Sequence, residues 1–238
     1  MAITPEFFKL ILKAGGSGRA VAAGYPDLLI EKLRIAEWLL NRPVWADWAA
    51  YRPDSAEIMR WHGVNLPGIL DSEQVFKALG YTLDVFDIAK IRGPEKIIDL
   101  NYLIPWWTDD SLIESADLLV DSGTTEHCFN IGRAIINLAG LVKLNGHIVQ
   151  AFPLNAINHG FYSVSPTLVY DFYGDNGFTI KECFGHVFNA GICSGFTFPI
   201  DPFKRLTRVP ENSFLYLLAQ RTAIQELKFP VQRKYRKG

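Results

Sequence analysis

The chain has 238 residues, of which 49% are hydrophobic and 21% charged, and its net charge is −1. That composition excludes a disordered chain and argues against nucleic acid as the principal partner. The length allows one large α/β domain, or one such domain carrying an inserted cap.

The cysteines Cys128, Cys183 and Cys193 are too few and too irregularly spaced for a disulfide framework or a zinc site, so a reducing, cytoplasmic setting is expected. No apolar run approaches the roughly 20 residues of a membrane span, and the N-terminus lacks a signal-peptide pattern. The charge is uneven. Residues 221–238 hold six Lys and Arg against one Glu, which leaves a net −6 on residues 1–220. The basic tail Arg233-Lys234-Tyr235-Arg236-Lys237 is expected to be a solvated, frayed terminus.

In chain order, Phe7 to Leu12 reads as a short amphipathic helix ending at Gly15-Gly16-Ser17-Gly18. These glycines precede the strand candidate Arg19–Ala23, whereas a phosphate cradle needs them at the strand's exit, so they read as a linker. After Gly24-Tyr25-Pro26-Asp27, residues 28–71 read as a helical insertion or cap. It carries Trp38, Trp45, Trp48 and Trp61, which are expected to pack partly against the main sheet or a second subunit. Ile30–Leu40 has helical spacing, and Ser72–Leu79 is a short helix closed by Gly80.

From Tyr81 the pattern becomes regular. Strand candidates are Tyr81–Phe86, Lys96–Asp99, Asp117–Asp121, His147–Phe152, Thr179–Phe184 and Phe214–Gln220. Helical stretches such as Asn130–Leu144 separate several of them, and Asn145-Gly146 turns the chain into the next strand. The alternation predicts an α/β, doubly wound, mostly parallel seven-stranded Rossmann-like sheet, with Phe214–Gln220 as a final antiparallel strand.

Polar groups recur where apolar runs end. Asp87, Asp99-Leu100-Asn101, Asp121-Ser122-Gly123 and Pro153-Leu154-Asn155 each follow the apolar run of a strand candidate, and open α/β sheets bind ligands at that edge. Residues 117–130 are the most informative stretch, because Leu118-Leu119-Val120 stops at an acid and leads into Thr124, Thr125, Glu126 and His127. Asn158-His159-Gly160-Phe161-Tyr162 sets an imidazole, an amide and a phenol on a glycine-flexed loop. No metal-ligand spacing appears. His62, His147 and His186 have no partner pattern and read as structural.

Four segments together resemble the class I S-adenosylmethionine-dependent methyltransferases. They are Leu83-Asp84-Val85-Phe86-Asp87, Ile97-Ile98-Asp99-Leu100-Asn101, Ala116–Asp121 with Gly123, and Leu141–Val149. Residues 123–130, 158–162 and 165–173 resemble a subgroup found in glycan and surface-polysaccharide biosynthesis. The resemblance implies S-adenosylmethionine as cofactor and one methyltransferase-like domain over residues 1–238. Asp87 would hold the ribose hydroxyls, Asp99 and Leu100 would contact the adenine, and Gly24, Ser122 and Gly123 would border the methionine end, with Tyr25, Asn101 and Thr124 also in the cofactor site.

A small-molecule or glycan-linked acceptor would meet Asn158, Tyr162, Tyr170, Asp171 and Tyr173. His159 is then the candidate general base and His127 its reserve, and the Trp-rich insertion is a candidate homo-oligomer contact. The departure from the family lies at the first strand exit. Gly24-Tyr25-Pro26-Asp27 replaces a glycine-rich loop, and Asp87 lies 63 residues beyond Gly24. That departure motivates one competitor, a binding or scaffolding protein without turnover; a nucleotide-sugar oxidoreductase on a related Rossmann sheet is another. The second lacks a Gly-x-Gly-x-x-Gly after the first strand.

Overall fold

A computed structural model describes residues 2–39, 49–104, 112–189 and 193–236. The chain opens with β1 (Ala2–Ile3) and turns at Thr4 into α1 (Pro5–Ala14). The Thr4 hydroxyl accepts the Phe7 N–H at 3.3 Å, and Pro5 fills the first helical turn, where its missing N–H costs nothing. Gly15, at φ +62°, ends the helix.

Then come β2 (Gly18–Ala23), β3 (Asp27–Leu28), α2 (Lys32–Leu39), α3 (Ser55–His62), α4 (Ser72–Ala78), β4 (Tyr81–Asp87), β5 (Lys96–Ile97) and β6 (Ala116–Asp121). The second half is α5 (Ile131–Leu141), β7 (Val142–Asn155), α6 (Pro166–Asp175), β8 (Phe178–Asn189), β9 (Ser194–Pro199) and β10 (Ser213–Arg221).

Among the described residues, eight strands form one sheet in the order β5-β4-β2-β6-β7-β10-β8-β9, while β1 and β3 pair apart from it. The five strands β2, β4, β5, β6 and β7 run parallel, and β10, β8 and β9 extend the sheet through antiparallel pairings. The expected mostly parallel, seven-stranded sheet is therefore corrected to a mixed sheet of eight. The extra strand is β9, a short edge strand whose half-exposed face gives little apolar signal in the sequence. It can lie against β8 because Gly185 has no side chain where the Phe198 ring sits. Two further boundaries move: β5 is two residues long, not four, and β7 starts directly at the end of α5.

Alternation along the strands divides the core into two layers. Val21, Leu119, Ile148, Phe152, Leu215 and Leu217 face a layer completed by Ile135 and Leu138 of α5 and Phe172 of α6. Ala20, Ala22, Leu118, Val120, Val149 and Leu218 face the other, completed by Phe7 and Phe8 of α1 and Val75 and Phe76 of α4. Helices on both faces make the parallel part doubly wound.

Residues 28–71 contribute Ile35, Leu39, Ala49 and Leu70 to that second layer, and Trp38 stacks on Phe8 at 5.8 Å. Trp45 and Trp48 lie outside the described residues. The basic tail is solvated but not frayed. Residues 233–235 form a 3-10 turn, the Arg233 N–H donates to Asp171 at 3.1 Å, and Arg236 pairs with Asp175 at 2.7 Å.

Candidate functional site

Taken in chain order, the parallel strands lie as 3-2-1-4-5, so the winding reverses between β2 and β6. That reversal leaves a crevice at the carboxyl ends of these strands, the usual ligand position in open α/β sheets. Gly24 leaves β2 at φ +79° and Gly123 follows β6 at φ +111°, conformations that side chains rarely adopt. The Gly24 N–H donates to the Phe86 carbonyl at 2.6 Å, and the Thr124 hydroxyl donates to the Ala23 carbonyl at 2.6 Å. Both bonds fasten neighbouring strand exits together.

A cavity of about 560 Å³ opens there, walled by Tyr25, Asp87, Ser122, Gly123, His127 and His159 among others. Asp87 is half-buried and uses one oxygen to accept the Ala89 N–H at 3.3 Å. Tyr25 is buried beneath the Arg52 guanidinium, whose carbon lies 4.7 Å from the ring centre. Burial, with the nearby Asp71 carboxylate, pushes the Tyr25 phenol up to about 12.

Asp99, Leu100 and Asn101 lie apart from that cavity. The Asp99 carboxylate accepts the Asn101 N–H at 2.9 Å and its side-chain amide at 2.8 Å, and the Asn101 side chain accepts the Asn130 N–H at 2.9 Å. Leu100 is buried, and its carbonyl accepts from Asn137 at 3.0 Å. This is a braced turn after β5.

Under the cavity floor lies Asp121, wholly buried. It accepts the Thr124 N–H at 2.9 Å, the Gln150 amide at 3.0 Å and the Thr125 hydroxyl. Burial raises its carboxyl to about 6, and the Glu126 carboxylate pushes the same way, against those hydrogen bonds. Tyr173 donates to Gln150, so this tyrosine belongs to the core beneath the site and not to the cavity wall.

Residues 125–127 form a single 3-10 turn, and α5 begins only at Ile131, capped by Asn130. Glu126 and His127 therefore belong to that turn and not to the start of α5. Glu126 is fully buried, and neither carboxylate oxygen has a hydrogen-bond partner among the described residues. His159 Nε2 stands 3.4 Å from Glu126 Oε1, off-line for a hydrogen bond, and His127 Nε2 stands 4.0 Å away. The two imidazoles are half-exposed, with ring centres 5.4 Å apart. His159 also meets the Phe214 ring edge-on at 5.2 Å.

The structure thus brings Tyr25, Asp87, Ser122, Gly123, His127 and His159 to one cavity, with Gly24 and Thr124 bracing it from behind. Other expected residues lie elsewhere. Asn158 is exposed at φ +63°, and Tyr162 donates to the Phe129 carbonyl at 2.7 Å. Tyr170 and Asp171 border a second cleft, with Asp171 buried and engaged by the tail.

Two groups of cavity residues had no assigned role. Asp27, 3% exposed, accepts from Arg92 at 3.2 Å and sits 3.0 Å from His62 Nε2. That partner of His62 had no pattern in the sequence to mark it. Tyr216 closes the far wall, its hydroxyl 3.0 Å from Thr4 Oγ1. The sequence signal for Glu126 was its place beside a histidine at a strand exit, but nothing local marks its unpaired burial.

No family model matches the chain, and no curated protein matches it. Similar solved structures include a SAM-dependent methyltransferase from Thermotoga maritima, at 11% identity and a TM-score of 0.39 over 90% of this chain and 87% of that one. Another is the 1,6-didemethyltoxoflavin-N1-methyltransferase of Burkholderia thailandensis with bound S-adenosylhomocysteine, at 14% identity and a TM-score of 0.43 over 79% of this chain and 87% of that one.

Proposed function

We propose that this chain is a single-domain S-adenosylmethionine-dependent methyltransferase acting on a hydroxyl, less readily a nitrogen, of a small-molecule or glycan-linked acceptor. The observation that carries this reading is the cavity at the winding reversal, with the Asp87 carboxylate at the exit of β4 and glycine turns at the exits of β2 and β6. Its volume of about 560 Å³ suits a cofactor-sized ligand.

The residues fit that cofactor. Asp87 keeps an oxygen for ribose hydroxyls, and a Cβ at position 123 would stand 3.1 Å from Glu126 Oε1, so glycine keeps the wall open there. When bound, S-adenosylmethionine supplies an electrophilic methyl group, which leaves the protein to hold two reactants in line and to handle one proton. His127 and His159 stand at the rim, where imidazoles can take or orient an acceptor proton near neutral pH. Residues 28–71 serve as the acceptor-side cap, since Trp61 and His62 join the cavity wall.

Calorimetric titration tests this. S-adenosylmethionine and S-adenosylhomocysteine should both bind, with NADP silent. Silence for both sulfur ligands would favour a scaffold, and NADP binding would favour an oxidoreductase.

A further inference from the structure

We propose that Glu126, His127 and His159 form a binding site for a divalent transition-metal ion at the rim of the cavity. One ligand atom from each lies within 4.8 Å of the others, with Glu126 Oε1 facing His159 Nε2 at 3.4 Å and His127 Nε2 at 4.0 Å. Ligands on a tetrahedral ion stand roughly 3.3 Å apart, given metal–nitrogen bonds of about 2.0–2.1 Å. The present spacing needs only a modest rotation of two half-exposed rings to close on an ion.

The second observation is the state of Glu126. Its side chain is wholly buried and points at the two imidazoles, yet neither oxygen has a hydrogen-bond partner among the described residues. A buried carboxylate without a partner is costly, and the neighbouring Asp121 carboxylate adds to the local negative charge. A divalent cation satisfies the open oxygens and offsets that charge.

The backbone is shaped around the same group. Gly123 and Gly160 flank Glu126, and a Cβ on Gly160 would lie 2.8 Å from Glu126 Cγ. The absent side chains let the loop after β7 descend until His159 faces the carboxylate. Two imidazoles and one carboxylate favour zinc, iron, cobalt or nickel over magnesium and calcium, which prefer all-oxygen shells. Three protein ligands leave a position open for an exogenous oxygen.

The sequence shows no metal spacing because the ligands come from two segments separated by an entire helix and strand. One consequence rests on the methyl-transfer reading: an acceptor hydroxyl coordinated to the ion would ionise near neutral pH, and His159 would act as ligand and not as free base.

The test uses the full chain, stripped with a chelator and dialysed, then titrated with Zn²⁺ by calorimetry and with Co²⁺ by visible absorption. One equivalent should bind, with the d–d bands of low-coordinate cobalt. Glu126→Gln, His127→Ala and His159→Ala should each weaken binding by more than the roughly 10–100-fold that outer-shell changes cost. His127→Ala and His159→Ala change half-exposed side chains, so they report on the site even if the Glu126 variant folds poorly.

No stoichiometric uptake by the wild type, or equal uptake by the double His127→Ala, His159→Ala variant, overturns the site. S-adenosylhomocysteine titrated into the same samples separates the two proposals. Its binding without metal uptake sinks only the metal site, whereas metal uptake without its binding sinks only the methyl-transfer reading.

Discussion

The main-chain N–H of Phe161 donates to the carbonyl of Glu126 at 3.0 Å, which clamps the loop after β7 onto the turn after β6. The clamp depends on Gly160, where a Cβ would meet the Glu126 carbonyl oxygen at 3.0 Å and its Cγ at 2.8 Å. Gly160→Ala must push two backbone segments apart. It should destabilise the fold by about 1–3 kcal/mol, as overpacking does. Denaturant unfolding measures this, and an unchanged midpoint would show that the two loops are not in contact.

Asp87 stands at the exit of β4 with one oxygen free of backbone bonds. Removing a charge-assisted hydrogen bond to a ribose costs roughly 1.5–3 kcal/mol, or one to two decades of affinity. Asp87→Ala should weaken S-adenosylmethionine binding by that much while its thermal midpoint stays near wild type. Unchanged affinity would place the ribose elsewhere.

The buried Asp121 gives a stability signature in pH. Folded, its carboxyl titrates at about 6, while in the unfolded chain it releases its proton near the ordinary aspartate value of 3.8. Between those values the folded state binds more protons, so this group's contribution to stability falls as pH rises through the window. The loss is about 3 kcal/mol and is complete above the folded value. Asp121→Asn cannot titrate. The stability difference between wild type and variant should therefore change between pH 4 and pH 7, in favour of the variant at the higher pH. A difference that stays flat across that range would mean the carboxylate is ionised throughout.

Phe152 lies fully buried at the centre of the layer beneath α5 and α6, whereas Phe129 is 74% exposed and touches Phe161 edge-on. Phe152→Ala should cost about 3–5 kcal/mol and Phe129→Ala under about 1 kcal/mol. Similar losses at both sites, read from urea unfolding, would contradict the layer assignment.

Much of the parallel half was legible because a buried strand announces itself as an apolar run ending in a polar turn, as Leu118-Leu119-Val120 does before Asp121. The strands β1, β3 and β9 were not, since two-residue pairings and a half-exposed edge carry too little periodicity. At the site, sequence could place Asp87, Ser122, Gly123, His127 and His159 at strand exits, and the fold gathers them around one cavity. It could not tell Tyr170 from Tyr173, three residues apart on α6. One borders a separate cleft while the other is buried against Gln150, and only packing decides which. The isolation of Glu126 was likewise hidden, because it depends on a glycine 34 residues later in the chain.

The position of β10 has a consequence for how the chain is made. It pairs with β7 on one side and β8 on the other, yet it follows both in sequence. During synthesis β7, already beside β6, and β8, already beside β9, must each wait with one edge unpaired until residue 221 emerges, and such edges recruit other chains. Folding of this half is therefore non-local and slow by topology. A ribosome-stalled fragment ending before Ser213 should need a chaperone that one ending after the tail does not.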